Sequence, residues 1–374
     1  MSAALAPVDS VRGMDFNART LLMALQIGEP HRLVRVFAME SIFAAFRGGP
    51  GRRRAERLLG LTTALAVRLG DPTDRAWALC ARGLVEYYAG HFAAAAGWLD
   101  QAEALLRESC RGMAWELDTV RLLRLLALFY MGRIGEMARS VPQHVAEALD
   151  RGDLYSATNL SLSFLNSAWL VRDDVTAARR VAAEAAGRWS HKGFHVQHWY
   201  ALTAEVQLHL YAGDGAAALA CVRDRWTPLQ RSLLTHLQIV RVEARVLRAR
   251  CALAAAATGR GDRAALLREA ERYAVRVRRE GMAWSTPLAD LLLAGVAAAR
   301  GEPAAALRRL ETAVAGCAAA GLPLWHVVAQ RRQGELCGGA KGAALREAAD
   351  AWLTAQTIRA PERWAAMLAP GFPA

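Results

Sequence analysis

The sequence predicts an all-α fold, a tetratricopeptide-like α-solenoid of about seven antiparallel helix pairs, and three observations predict it. Alanine, leucine and arginine dominate the chain, and all three are strong helix formers. No alternation of apolar and polar residues runs long enough to make a sheet. A turn signal recurs at intervals of about forty-odd residues, which is the mark of a repeat architecture.

The clearest repeat lies between Ala76 and Leu106. A first helix reads from Trp77 through Gly83 and Tyr87, and Gly90 ends it. A second reads from Phe92 through Ala95, Leu99 and Ala102. Small residues allow two helix backbones to approach, and a large one fills the space between them. Further turns are expected at Gly132, Asp173, Gly213, Gly259 to Gly261, and Gly301, with Ala306, Leu310 and Ala313 repeating the small–large–small pattern. The interval exceeds the roughly 34 residues of a standard tetratricopeptide repeat, so longer helices or longer connections are expected.

Between pairs, Gly70, Gly112, Gly152, Gly193 and Gly281 are placed to close helices in the left-handed conformation. Asp74, Asp153 and Ser285 read as the N-caps that follow. Gly48-Gly-Pro-Gly51 marks another break, with Arg52-Arg53-Arg54 opening a helix. No Ser- or Pro-rich linker divides the chain, so 1–374 reads as a single array. Within it, 1–50 is an N-terminal pair without a polar cap, expected to pack on a partner or to continue a longer chain. Residues 342–374 read as C-terminal capping helices that stop at Pro370-Gly-Phe-Pro373.

The 54% hydrophobic content supports a large core and excludes disorder. The net charge of +12 rests almost wholly on arginine, with lysine only at Lys192 and Lys341. Without a clustered basic face this reads as compositional bias, and nucleic acid is not the expected partner. Arg52 to Arg54 and Arg276 to Arg279 read as solvated helix faces. The recurrent tryptophans, Trp77, Trp284 and Trp325 among them, read as inter-repeat core. Six cysteines stand singly without a CxxC pair, and most sit in apolar helical context, as buried free thiols do. No signal peptide or membrane span is read, and the expected compartment is the cytoplasm.

These residues resemble the C-terminal helical-repeat region of large bacterial serine/threonine protein kinases of the myxobacterial type. The resemblance rests on Val11-Arg-Gly-Met-Asp15-Phe16, Gly28-Glu-Pro30, Ala114-Trp-Glu-Leu-Asp-Thr119 and Arg151-Gly-Asp-Leu-Tyr155-Ser-Ala-Thr-Asn159. Gly193-Phe-His195-Val-Gln-His198, Ile358-Arg-Ala-Pro361-Glu-Arg363 and Met367-Leu-Ala-Pro-Gly-Phe372 complete it. It implies a regulatory or docking tail in kinase signalling. The kinase motifs themselves are missing: there is no Gly-rich loop, β3 lysine, HRD or DFG, and Gly338-Gly-Ala-Lys341-Gly lacks the ending of a phosphate-binding loop. No catalytic residue, cofactor or metal is therefore assigned.

The densest unusual chemistry is Trp189-Ser-His191-Lys-Gly-Phe-His195-Val-Gln-His198-Trp199-Tyr200. Three histidines could hold a metal, with His195 and His198 on one face if the helix has begun, but no carboxylate or thiol stands beside them. The stretch reads instead as a packed helix entry that can contact a partner. His195, His198, Trp199, Tyr155 and Asn159 are the candidate partner-binding residues. The expected partner is a protein or peptide, with a kinase or its substrate as candidates; a kinase sensor region and a transcriptional regulator arm are the rival readings.

Overall fold

In the computed structural model, residues 10–190, 192–259 and 261–372 are described. They are 82% helical, with no strand among the described residues, and their 19 α-helices pack in sequential neighbour pairs as a helical repeat does. Among the described residues no helix is long and apolar enough to cross a membrane. The chain divides into two compact units. One comprises Met1–Ala127, Gly193–Val196 and Gln230–Arg241; the other comprises Leu128–Lys192, Gln197–Leu229 and Val242–Ala374.

The first unit begins with α1 (Ser10–Ile27), which leaves Leu22, Met23, Leu25 and Ile27 exposed. Next come α2 (Pro30–Ala45), α3 (Arg52–Leu69), α4 (Pro72–Ala89), α5 (Phe92–Ser109) and the greater part of α6 (Ala114–Tyr130). Helices α2 and α3 form one hairpin and α4 and α5 the next, and α2 also packs directly on α4. Contact between the first helices of consecutive pairs is what stacks a repeat. His31 on α2 and Asp74 on α4 are joined at 2.6 Å, and the Arg35 guanidinium lies 5.1 Å from the Trp77 ring.

The small–large–small pattern does what its chemistry predicts. A Cβ on Gly83 would stand 2.6 Å from Leu99 Cδ2, so only glycine admits the leucine, and Ala95, Leu99 and Ala102 are fully buried. Arg52, Arg53 and Arg54 open α3 after a 3₁₀ turn at Gly49–Gly51 and remain exposed.

The second unit contains α7 (Ile134–Asp150), α8 (Leu154–Ser161), α9 (Ser167–Leu170) and α10 (Val175–Gly187). It holds nearly all of α11 (Val196–Tyr211) and α12 (Gly215–Arg231), and α13 (Gln238–Ala257) from Val242 onward. Then follow α14 (Arg263–Arg278), α15 (Ser285–Ala299), α16 (Pro303–Ala319), α17 (Pro323–Cys337), α18 (Gly339–Ala355) and α19 (Pro361–Leu368). Ala306, Leu310 and Ala313 are again fully buried.

One turn chemistry repeats through the chain. At Gly90 the residue's own N–H reaches the Tyr87 carbonyl and the next N–H reaches Glu86. The same pair of bonds recurs at Gly132, Gly152, Asp173, Gly213, Gly301 and Gly321. This is the left-handed closure that satisfies a helix's last carbonyls. Asp173 shows that it needs the conformation more than glycine itself, for it takes φ 61 with its carboxylate held by Tyr211 and Arg363.

Two local expectations need correction. The cap of α4 is Asp71, whose carboxylate accepts from Thr73 and Asp74; Asp74 sits in the first turn, buried against His31. Ser285 is the first residue of α15, not its cap, and its hydroxyl donates back to the Met282 carbonyl. Asp153 does cap α8. The helical segment before Asp173 is not continuous. It breaks after α8 into a 3₁₀ turn at Ser163–Asn166 and resumes as α9, with Asn166 Nδ2 donating to the carbonyls of Ser161 and Ala178. Ser- and Asn-rich sequence offers the backbone such competing bonds.

Candidate functional site: a polypeptide-gripping face in the second unit

The C-terminal stretch from Ile358 to Phe372 does more than close the array at its end. It lies across successive first helices of the second unit. Arg359 N–H donates to the Val171 carbonyl at 3.0 Å, and Trp364 Nε1 reaches the Leu170 carbonyl at 3.5 Å. Arg363 donates to Asp173 and to the carbonyl of Tyr211, with its guanidinium 4.4 Å from the Tyr211 ring. On α13, Arg250 donates through Nε and Nη2 to the Met367 carbonyl at 2.9 and 2.5 Å. On α17, Arg332 Nε donates to the Ala369 carbonyl at 2.9 Å, and its guanidinium lies 5.3 Å from the Phe372 ring. Gly295 on α15 supplies the room: a Cβ there would stand 2.6 Å from the Pro370 carbonyl.

The segment is amphipathic enough to be gripped from both sides. Trp364, Ala365, Met367 and Leu368 are buried, while its main-chain carbonyls are read by arginine. Arg250 is itself fully buried, which brings its pKa down to about 10 and still leaves it charged at neutral pH. A buried cation must find acceptors, and here a peptide carbonyl provides them.

Behind Arg250 lies a small chamber of about 10 Å³, room for no more than a single water. Tyr130, Trp199, Thr203, Trp284 and Trp325 line it around Glu243. Tyr130 Oη donates to Glu243 at 2.5 Å, and the Trp199 indole N–H donates as well. The Tyr130 and Trp284 rings meet edge to face at 5.6 Å. Burial pushes the Glu243 carboxyl up to about 7, and the bonds from Tyr130 and Trp199 only partly offset it. Its folded pKa therefore stands above its unfolded value. Protonated Glu243 is the form the fold favours, and stability falls as pH rises from about 4.5 to about 7. Glu243→Gln is expected to gain stability relative to the parent as pH goes from 5 to 8, by up to about 3 kcal/mol. Thermal melts at the two pH values check this, and a difference independent of pH contradicts it.

The structure distributes the five sequence-predicted partner residues unevenly. Trp199 and Asn159 are each 1% exposed, so they are interior residues rather than contacts for a partner. Trp199 serves Glu243, and the Asn159 amide finds no hydrogen-bond partner among the described residues, as do the buried amides of Gln197 and Gln207. Tyr155, whose ring lies 6.1 Å from that of Trp189, and His198 are half-buried and keep surface to offer. His195 is also half-buried but precedes α11, which begins at Val196, so the two histidines do not share a helix face. His191 lies outside the described residues.

Sequence reading missed Glu243, Tyr130 and Arg250. The signal was faint: a glutamate and an arginine on a helix whose other stripe is apolar, of the kind ordinarily assigned to solvent. Arg250 and Met367 are 117 residues apart in sequence, and only the fold brings them together.

No protein-family model matches the chain, and the curated proteins include no match to it.

Proposed function

We propose that the chain is a protein-interaction module, a tetratricopeptide-like α-solenoid of about seven antiparallel helix pairs that binds a protein or peptide in signalling through serine/threonine kinases. The observation that carries the binding reading is the grip on Ile358 to Phe372. Arg250 on α13 and Arg332 on α17 already hold a stretch of polypeptide by donating to its main-chain carbonyls, its Trp364 donates back to the Leu170 carbonyl, and its apolar side chains are enclosed. That is the chemistry by which a helical-repeat face recognises a peptide. The kinase association is supported by the sequence resemblance quoted above, and the expected partner is a kinase or its substrate.

The charge pattern favours protein over nucleic acid. Much of the arginine is spent within each unit: Arg121 on Glu103, Arg223 and Arg248 on Glu269, Arg245 on Glu280, and Arg331 on Asp350. Paired arginines release no phosphate counterions, so they add little to nucleic-acid affinity.

Tagged full-length chain in extract of its host is expected to retain a defined protein partner. Changing Tyr155 and His198 together to alanine is expected to weaken that partner about tenfold or more, since half-exposed aromatics anchor interfaces. Recovery of nothing but chaperones, or of a partner indifferent to both substitutions, contradicts the reading.

A further inference from the structure

We propose that Glu205, His209 and Cys221 form a binding site for a borderline-soft divalent metal ion of the zinc type. The site is independent of the protein-binding reading. Glu205 and His209 stand four residues apart on α11, one turn above the other on the same face. Cys221 comes from α12, the second helix of the same pair. One ligand atom from each residue lies within 4.8 Å of the other two, and all three side chains are partly buried. A tetrahedral zinc with bonds of about 2.0–2.3 Å holds its ligands about 3.3–3.8 Å apart. The Cys221 Sγ–Glu205 Oε1 separation is already 3.4 Å, so side-chain rotation of about 1 Å closes the set.

The surroundings suit an ion rather than a chance meeting of side chains. Buried Ala218, Leu219 and Val222 fix the register of α12 and aim Cys221 at α11. The turn between the helices is closed by Gly213 N–H on the Leu210 carbonyl and Asp214 N–H on the His209 carbonyl, and Asp214 caps α12 through Ala217. Arg225 pairs with Glu205 Oε2, which orients the carboxylate and leaves Oε1 toward the thiol. Outer partners of this kind hold metal ligands in place.

Ion and donors balance. The Cys221 thiol now donates to the Glu205 carboxylate. On binding, the S–H bond breaks, the sulfur keeps the electron pair and bonds to the metal, and the proton leaves to solvent. A thiolate, a carboxylate and a neutral imidazole neutralise a 2+ charge, and the fourth position is left to water. A thiolate with an imidazole selects zinc or cobalt over magnesium or calcium.

The test is a Co²⁺ titration of the intact chain after chelator treatment, followed by absorption. The expected result is a saturable one-to-one complex with a thiolate-to-cobalt charge-transfer band and tetrahedral d–d bands, both displaced by Zn²⁺. Cys221→Ser is expected to abolish the charge-transfer band. His209→Gln is expected to weaken binding about tenfold or more while the far-UV circular dichroism stays unchanged. Cys337→Ser, at an exposed thiol, is expected to leave the spectrum intact. A parent chain without the band, or a band that survives in Cys221→Ser, overturns the site.

Discussion

Replacing Trp364 by alanine should cost the protein about 3–5 kcal/mol, the range for emptying a fully enclosed aromatic site. Trp364 is completely buried on α19, a helix of only 8 residues that could not persist alone. Its indole N–H also reaches the Leu170 carbonyl, which would lose that donor. The neighbours cannot collapse into the gap, because Arg363 and Arg250 pin the segment on either side of it. Urea unfolding followed by circular dichroism measures the loss. A change below about 1 kcal/mol would place Trp364 at the surface and remove α19 from the interior of the second unit.

Replacing Gly215 by alanine is expected to cost about 3 kcal/mol or more, above the usual range for an overpacked core. Gly215 is the first residue of α12, and a Cβ there would stand 2.4 Å from the backbone carbon of Ala254 on α13. Backbone, unlike the end of a side chain, cannot swing aside, so the two helices must part. Gly97→Ala is the matching control. Gly97 lies within α5 with nothing within 4 Å of an added Cβ, so the same change should stabilise by up to about 1 kcal/mol. Equal effects at the two glycines would show that close helix approach is not what Gly215 provides.

Local chemistry was legible in the sequence. The left-handed closures at Gly90, Gly132, Asp173, Gly213 and Gly301 follow from residues that tolerate positive φ at the end of an apolar helix. The buried trios of Ala95, Leu99, Ala102 and of Ala306, Leu310, Ala313 follow from side-chain volume alone. Arg276, Arg278 and Arg279 stay exposed as solvated charge should. Of the cysteines, Cys80, Cys251 and Cys317 are buried, and Cys337 is not.

What the sequence hid depends on contacts between distant segments. Nothing in Ile358 to Phe372 distinguishes a terminal cap from a strap across earlier helices, since both want an apolar face and a proline stop. Arg250 and Arg332 look like surface residues until a carbonyl arrives from the far end of the chain. The break between α8 and α9 depends on Asn166 finding Ala178. Glu205 and His209 showed the helical i, i+4 spacing, yet Cys221 joins them only once α12 is set in register on α11.

Amide hydrogen exchange of the intact chain tests most directly whether the second unit's first helices hold a polypeptide segment. The amides of Trp364 and Ala369 donate to Ala360 and Ala365, and they are expected to exchange as slowly as those of α13. Arg250→Ala is expected to speed exchange in 361–369 well before exchange in α13 changes. Rapid exchange throughout 361–369 in the parent protein would show that the segment is not held.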